Sequence, residues 1–191
     1  IFLGIAAVVS LISLGQGLEQ AIVGQFSTLD QDKLVVENAG TGFGPPGSTV
    51  VTKLNDHDLE LIRSVNGVEF AIPRYIRVVN VEYNDVSEFI GVSDIPVDKE
   101  EAEIVYDSIN AEAETGRLLE VSDRKKILLG SSVAVDNGFG KDIFVGSKIR
   151  LQGEEFEVLG ILEKTDSFFI DANIFMSNED LERVLSLDDE I

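Results

Sequence analysis

His57, the only histidine of the chain, stands between Asp56 and Asp58. One imidazole beside two carboxylates has the donor types of a metal corner or of a general base. The spacing completes neither: no second His and no further ligand pattern accompanies it, so His57 reads as part of an exposed helix turn. Ser131 and Ser132 follow Gly130 where a strand passes into a short helix, the place where a nucleophile elbow would present a serine. The Gly-x-Ser-x-Gly spacing is absent, and the lone His57 would have to be the base of a hydrolase. Asp30 and Asp32 in "LDQDK" begin like a calcium loop, but the Gly and the late Glu of an EF-hand are missing at their offsets. "GTGFG" at 40–44 has no Lys-Ser/Thr after it and no helix start, so it reads as a surface loop rather than a phosphate cradle. No catalytic residue, metal site or cofactor site is therefore expected, and with no Walker motif the chain is not expected to bind ATP.

The composition narrows the partners. The 191 residues carry 35 acidic against 15 basic side chains, a net charge of -20. Such a surface repels phosphate backbones, which argues against nucleic acid. With no cysteine there is no disulfide framework and no thiolate site.

The elements that would position these residues begin with a greasy segment. Residues 1–18 are apolar or small apart from Ser10, Ser13 and Gln16. As a helix they would rise about 27 Å, close to a bilayer core of about 30 Å. A cleavable signal peptide would need a basic start and a small-x-small exit, neither of which is visible. A buried core helix would show a polar face before Gln16. Residues 1–26 are therefore expected to be the end of a membrane helix running into a stalk, with Leu18, Ala21, Ile22 and Phe26 on one stripe. The scarcity of Lys and Arg after it places the following domain outside the cytoplasm.

"KLVVE" at 33–37 is a strand candidate, and Asn38–Ser48, with two adjacent prolines, is a loop. Asn55 and Asp58 form a capping-box pattern before a helix whose buried stripe is expected to be Leu59, Ile62 and Val65, with Gly67 as its left-handed stop. "VEFAIP", "YIRVVNVEY" and "VSEFIGV" read as strands, the last two joined by a tight turn at Asn84-Asp85. The acidic stretch 98–115 reads as a short helix or an irregular excursion. Ile127–Leu129 form a strand, Gly130 a turn, and Ser131 or Ser132 the cap of a short helix. "KIRLQ" and "EFEVLGILE" form a second hairpin turning at Gly153-Glu154, with Ile149 and Leu151 facing Phe156 and Val158. "NIFMS" is a last strand, and a capped helix starts at Ser177 or Asn178. The class is α+β, with mixed sheets and few helices rather than a regular βαβ series.

Three blocks then coincide in order: the membrane-helix end running into "SLGQGLEQAI", "TGRLLEVSDRKKILLGSSVA" and "VGSKIRLQGEEFEVLGILEK". Their Gly116, Arg117, Asp123, Gly130, Gly153, Phe156 and Gly160 carry the pattern. This order resembles the extracytoplasmic core domain of MacB-like ABC transporter permeases, the group that includes LolC/LolE-like and FtsX-like proteins. The motif residues are read as architecture: glycines at turns and close approaches, and an exposed Arg117–Asp123 pair bracketing "LLEVS". The resemblance implies a porter-like lobe from 27–95 plus 166–191, a smaller mixed lobe from 96–165, and the stalk at 1–26. It also implies a second permease subunit, a cytoplasmic ATPase holding the ATP, and an extracytoplasmic substrate or partner. The function it implies is coupling of ATP hydrolysis to export, extraction or partner activation outside the membrane. The alternative is a membrane-anchored sensor or binding module.

Overall fold

The computed structural model describes residues 34–36, 54–135 and 138–185. The chain divides into two compact units, Ile1–Val35 and Val36–Ile191, and the second carries the architecture below. The expected membrane helix and stalk, Asp30, Asp32 and the proline loop lie outside the described residues. Among those described, no helix is long and apolar enough to cross a membrane.

The first helix, α1 (Asp56–Arg63), starts as its sequence dictates. The Asn55 side chain accepts from the backbone N–H of His57 and Asp58, and the Asp58 carboxylate accepts from the Asn55 N–H. Its expected buried stripe does not form. Leu59 and Ile62 are half-buried and Val65 is 56% exposed, because α1 sits at the margin of the fold rather than across a sheet face. Two strand expectations also fail. Residues 34–36 are exposed without regular structure, and "VEFAIP" runs as irregular chain, since neither finds a partner ladder among the described residues.

Strands β1 (Ile76–Tyr83) and β2 (Val86–Ile95) form an antiparallel hairpin in register Tyr83↔Val86 to Ile76↔Ser93. Asn84 and Asp85 take φ of 51° and 61°, the left-handed pair that a two-residue turn needs to match strand twist. Helix α2 (Lys99–Ser108) is capped by Asp98, which accepts from the N–H groups of Glu100 and Glu101. Ala102 and Val105 give it a buried face, which resolves the 98–115 stretch as a helix followed by β3 (Ala113–Gly116).

Strand β4 (Lys126–Leu129) passes through Gly130 into α3 (Ser131–Ala134). Strands β5 (Lys148–Leu151) and β6 (Glu154–Leu162) form the second hairpin, with Ile149 opposite Phe156. Its turn is Gln152-Gly153, one residue earlier than expected, because Glu154 already pairs with Leu151. A four-residue helix that the sequence did not announce, α4 (Phe168–Asp171), precedes β7 (Asn173–Ser177) and α5 (Asn178–Leu185).

The seven strands make one sheet in the order β3-β6-β4-β7-β2-β1-β5, and an additional β6–β5 pairing closes it. Six strands thus form a ring, β6-β4-β7-β2-β1-β5, with β3 extending from β6 beyond the end of β5. The sheet runs across both boundaries placed at 95/96 and 165/166, since β4, β5 and β6 find ladder partners in β7 and β1.

Strand alternation fills the ring. Val79 and Val81, Ile90 and Val92, Ile127 and Leu129, Ile149 and Leu151, Phe156 and Val158, and Ile174 and Met176 share one core cluster. Residues of the opposite parity, Leu128 and Phe175, turn outward into a second cluster with Ala102 and Val105 of α2. A register shift against β4, where Ile127 pairs with Val158 but Leu128 with Gly160, inserts one residue in β6. The inserted residue flips the alternation, so Leu162 joins the outer cluster and Ile161 packs against the inner one.

Candidate functional site

Four of the seven motif residues meet where β3 leaves β6. Gly116 lies opposite Gly160 across the ladder, at φ +84°. A Cβ on Gly116 would stand 2.8 Å from the Gly160 Cα, and one on Gly160 would stand 2.5 Å from the Arg117 carbonyl oxygen. Two backbones therefore approach here with no room for side chains. The chain then loops out and returns, and Arg117 ties the loop shut. Its Nη1 and Nη2 donate to Asp123 Oδ2 at 2.7 Å and Oδ1 at 2.8 Å, a bidentate fork. Asp123 Oδ2 also accepts from the Glu120 N–H at 2.8 Å. These bonds hold the Asp123 carboxyl below the usual carboxylate range, led by the Arg117 hydrogen bonds. Inside the loop, Leu119 is buried in the outer cluster, and its carbonyl accepts from the Tyr106 hydroxyl at 3.2 Å. Burial pushes that phenol above its ordinary value.

The other three motif residues are dispersed. Phe156 is fully buried inside the ring. Gly153 takes φ +86° in the β5–β6 turn, with open space around its missing side chain. Gly130 occupies the N-cap of α3, where a Cβ would be 2.7 Å from the Asp171 carbonyl carbon. Its N–H donates to the Asn173 carbonyl at 2.8 Å. This pinned turn makes Ser131 the first helical residue, so no serine caps α3 through its side chain.

Among the described residues, Ser131 Oγ is buried with no hydrogen-bond partner, so no base engages it. Ser132 is exposed, as is His57 in the first turn of α1. The described residues contain no group of three or more His, Cys, Asp and Glu that could hold a metal ion.

Three buried carboxylates, Asp94, Asp171 and Asp180, carry no motif in the sequence; Asp171 accepts from the Thr165 N–H at 2.9 Å and from the Thr165 hydroxyl at 3.0 Å. Asp94, 1% exposed near the end of β2, accepts from Arg74 Nε at 3.0 Å and from the Tyr75 N–H at 2.8 Å. Its own carbonyl accepts from Arg74 Nη2 at 2.6 Å, and its N–H donates to the Tyr75 carbonyl. Burial raises its carboxyl pKa, partly offset by Arg74. Asp180, fully buried in α5, accepts from the Lys125 N–H at 2.8 Å and pairs with Arg183 Nη2 at 2.6 Å. The available signal was an acidic residue inside an apolar strand, "GVSDI", and the wide spread of acidic residues along the chain hid it. Around β4–β6, the part-buried pair Lys126–Glu157 and the exposed pair Lys148–Glu155 bridge neighbouring strands, and Arg124–Glu179 joins α5 to the β4 entry. Phe168 and Phe169 stand 77% and 69% exposed on α4.

The site is thus a glycine-lined β3–β6 crossing with a clipped loop on the rim of a closed mixed sheet. The family model described as the MacB-like periplasmic core domain matches residues 1–190, and the chain belongs to that family. An uncharacterized ABC transporter permease of Methanocaldococcus jannaschii is 30% identical over 178 residues, covering 93% of this chain and 43% of that protein. The macrolide export ATP-binding/permease protein MacB of Shewanella sp. is 25% identical over 178 residues, covering 88% of this chain and 26% of that protein. The chain thus spans less than half the length of these relatives. Among solved structures, the periplasmic region of MacB from Actinobacillus actinomycetemcomitans superposes with a TM-score of 0.56 at 17% identity, covering 80% of this chain and 68% of that one. The extracellular domain of the noncanonic ABC-type transporter YknZ from Gram-positive bacteria gives 0.55 at 16% identity, covering 72% and 70%. At such identities these two likenesses concern the fold.

Proposed function

We propose that this domain is a force-transmitting cap. It would couple ATP hydrolysis by a cytoplasmic ABC ATPase to movement outside the membrane, for export, extraction or activation of a partner. The segment at 1–26 would be the stalk that brings the motion up from the bilayer. A second permease subunit would present the opposing cap. The ATP would stay on the ATPase, and the chain itself would carry no cofactor and no catalytic group.

The observation that carries this reading is the place of β7. It lies within the ring, paired in parallel with β2 and antiparallel with β4, with all five residues buried. Helix α5 follows it directly, so a pull on α5 enters a strand that is held by ladders on both sides. A closed sheet has few soft modes, because moving one strand strains the ladders on both sides. The motif residues fit the same role: the Gly116–Gly160 approach and the Arg117–Asp123 fork lock the one strand outside the ring.

The test uses the full permease with its ATPase in lipid nanodiscs, spin-labelled at Val121→Cys on both copies. Val121 is 44% exposed, and this chain has no native cysteine. A shift in the distance between copies from the nucleotide-free to the ATP-trapped state is expected. An identical distribution in both states would reject the coupling reading and leave the sensor or binding module in its place.

A further inference from the structure

The first buried side chain in chain order among the described residues is Tyr75. Everything described before it, from residue 34 through α1 to Arg74, is exposed or half-buried. Core packing therefore does little to hold α1 and the segment after it. Arg63 Nη2 donates to the Ala71 carbonyl at 2.9 Å, which braces this segment against itself. Among the described residues, Arg63 reaches Glu101 at 3.9 Å and half-buried Ile72 packs against the outer cluster.

At Arg74-Tyr75 the character changes. Asp94 takes hydrogen bonds on one carboxylate oxygen from both residues, returns its N–H to the Tyr75 carbonyl, and offers its own carbonyl to Arg74. Its second carboxylate oxygen is buried with no hydrogen-bond partner among the described residues. Burial and the neighbouring Glu182 carboxylate of α5 push the Tyr75 phenol up to about 12. Asp94 itself pairs with Met176 of β7 in the parallel ladder. Two residues are thus clamped at once to β2, at a position that pairs directly with β7.

A carboxylate here is a poor choice for stability alone, because a buried ion pair loses hydration that an apolar pair would not. What such a pair provides is direction. Its hydrogen bonds demand one register and one geometry, while an apolar contact slides. We propose that Asp94, with Arg74 and Tyr75, is the positioning joint through which movement of the α1 segment is passed to the closed sheet at β2 and β7. This rests on the force-transmission reading above.

The test again uses the full permease with its ATPase in nanodiscs, now labelled within one cap at Glu60→Cys on α1 and Lys148→Cys on β5. In the otherwise native protein the joint predicts one narrow distance, unchanged by nucleotide. Asp94→Asn removes the charge, and Arg74→Met with Asp94→Leu replaces the pair by apolar side chains. The second change keeps the protein assayable if the first fails to fold. Loss of the single narrow distance in the apolar double variant, with ATP hydrolysis retained, supports the joint. A distance as narrow as in the native protein overturns it. The nucleotide-free measurement decides the joint by itself, whereas an unmoved Val121 distance between copies rejects the coupling reading instead.

Discussion

Gly116 and Gly160 lie opposite each other across the β3–β6 ladder, so close that a Cβ on either would enter the partner strand's backbone. Backbone cannot step aside as a flexible side chain can. Gly160→Ala should therefore lower stability by about 1–3 kcal/mol through overpacking. That corresponds to a fall in Tm of about 2–4 °C per kcal/mol for a chain of this size. Gly153→Ala meets open space, so only its left-handed φ is penalised, at about 1–2 kcal/mol. Thermal unfolding followed by circular dichroism measures both. If Gly160→Ala melts at the native temperature, the close approach is not a constraint.

Phe156 and Phe168 are the same residue type in opposite settings. Phe156 is fully buried among the ring residues, and Phe156→Ala should cost about 3–5 kcal/mol. Phe168 is 77% exposed, and Phe168→Ser should change stability by no more than about 0.5 kcal/mol. Urea titration separates the two, and comparable losses for both would mean that the ring interior is misassigned.

Arg74 and Asp94 should behave unequally when broken singly and together. Arg74→Met strands a buried carboxylate, at a cost of up to about 3 kcal/mol given that Arg74 is itself partly exposed. Adding Asp94→Leu removes the stranded charge and should recover most of that loss. A double-mutant cycle read by chemical denaturation checks the sign. A double variant as unstable as Arg74→Met alone would show that the charge is not what the single change left behind.

Two carboxylates should tilt the pH profile in opposite directions. Arg117 depresses Asp123, so its contribution is present above the unfolded carboxylate pKa of about 3.9 and is lost as pH falls through the lower folded value. Burial raises Asp94, so its contribution is present below about 3.9 and is lost as pH rises through the higher folded value. Asp123→Asn should flatten the acid limb of the stability curve, and Asp94→Asn the limb above it. Midpoints of urea unfolding at stepped pH provide the measurement. Steeper limbs in the variants would reverse the assignment.

The local signals in the sequence are those that one stretch of chain can satisfy alone. Asn84-Asp85 made the first hairpin because both residues tolerate a left-handed backbone. Asn55 with Asp58 capped α1 because the partners are three residues apart. Where a partner had to come from elsewhere, the same kind of reading failed. Residues 34–36 and "VEFAIP" have strand composition but no ladder among the described residues, and the α1 stripe has the right spacing but is only partly covered. The hairpin turn at 152–153 was read one residue late because Glu154 looks like a turn residue until it is seen pairing with Leu151.

The sequence by itself determined the α+β class, both hairpins, the capped start of α1, and the family. The tertiary structure alone decided that the sheet closes through β5 and β6, that β7 is held between β2 and β4, and that Asp94 takes Arg74 and Tyr75 as its partners. The physical reason is range. Turns and caps are set by backbone geometry over two to four residues. Ring closure and a buried ion pair depend on which distant segments come together, and no local pattern encodes that.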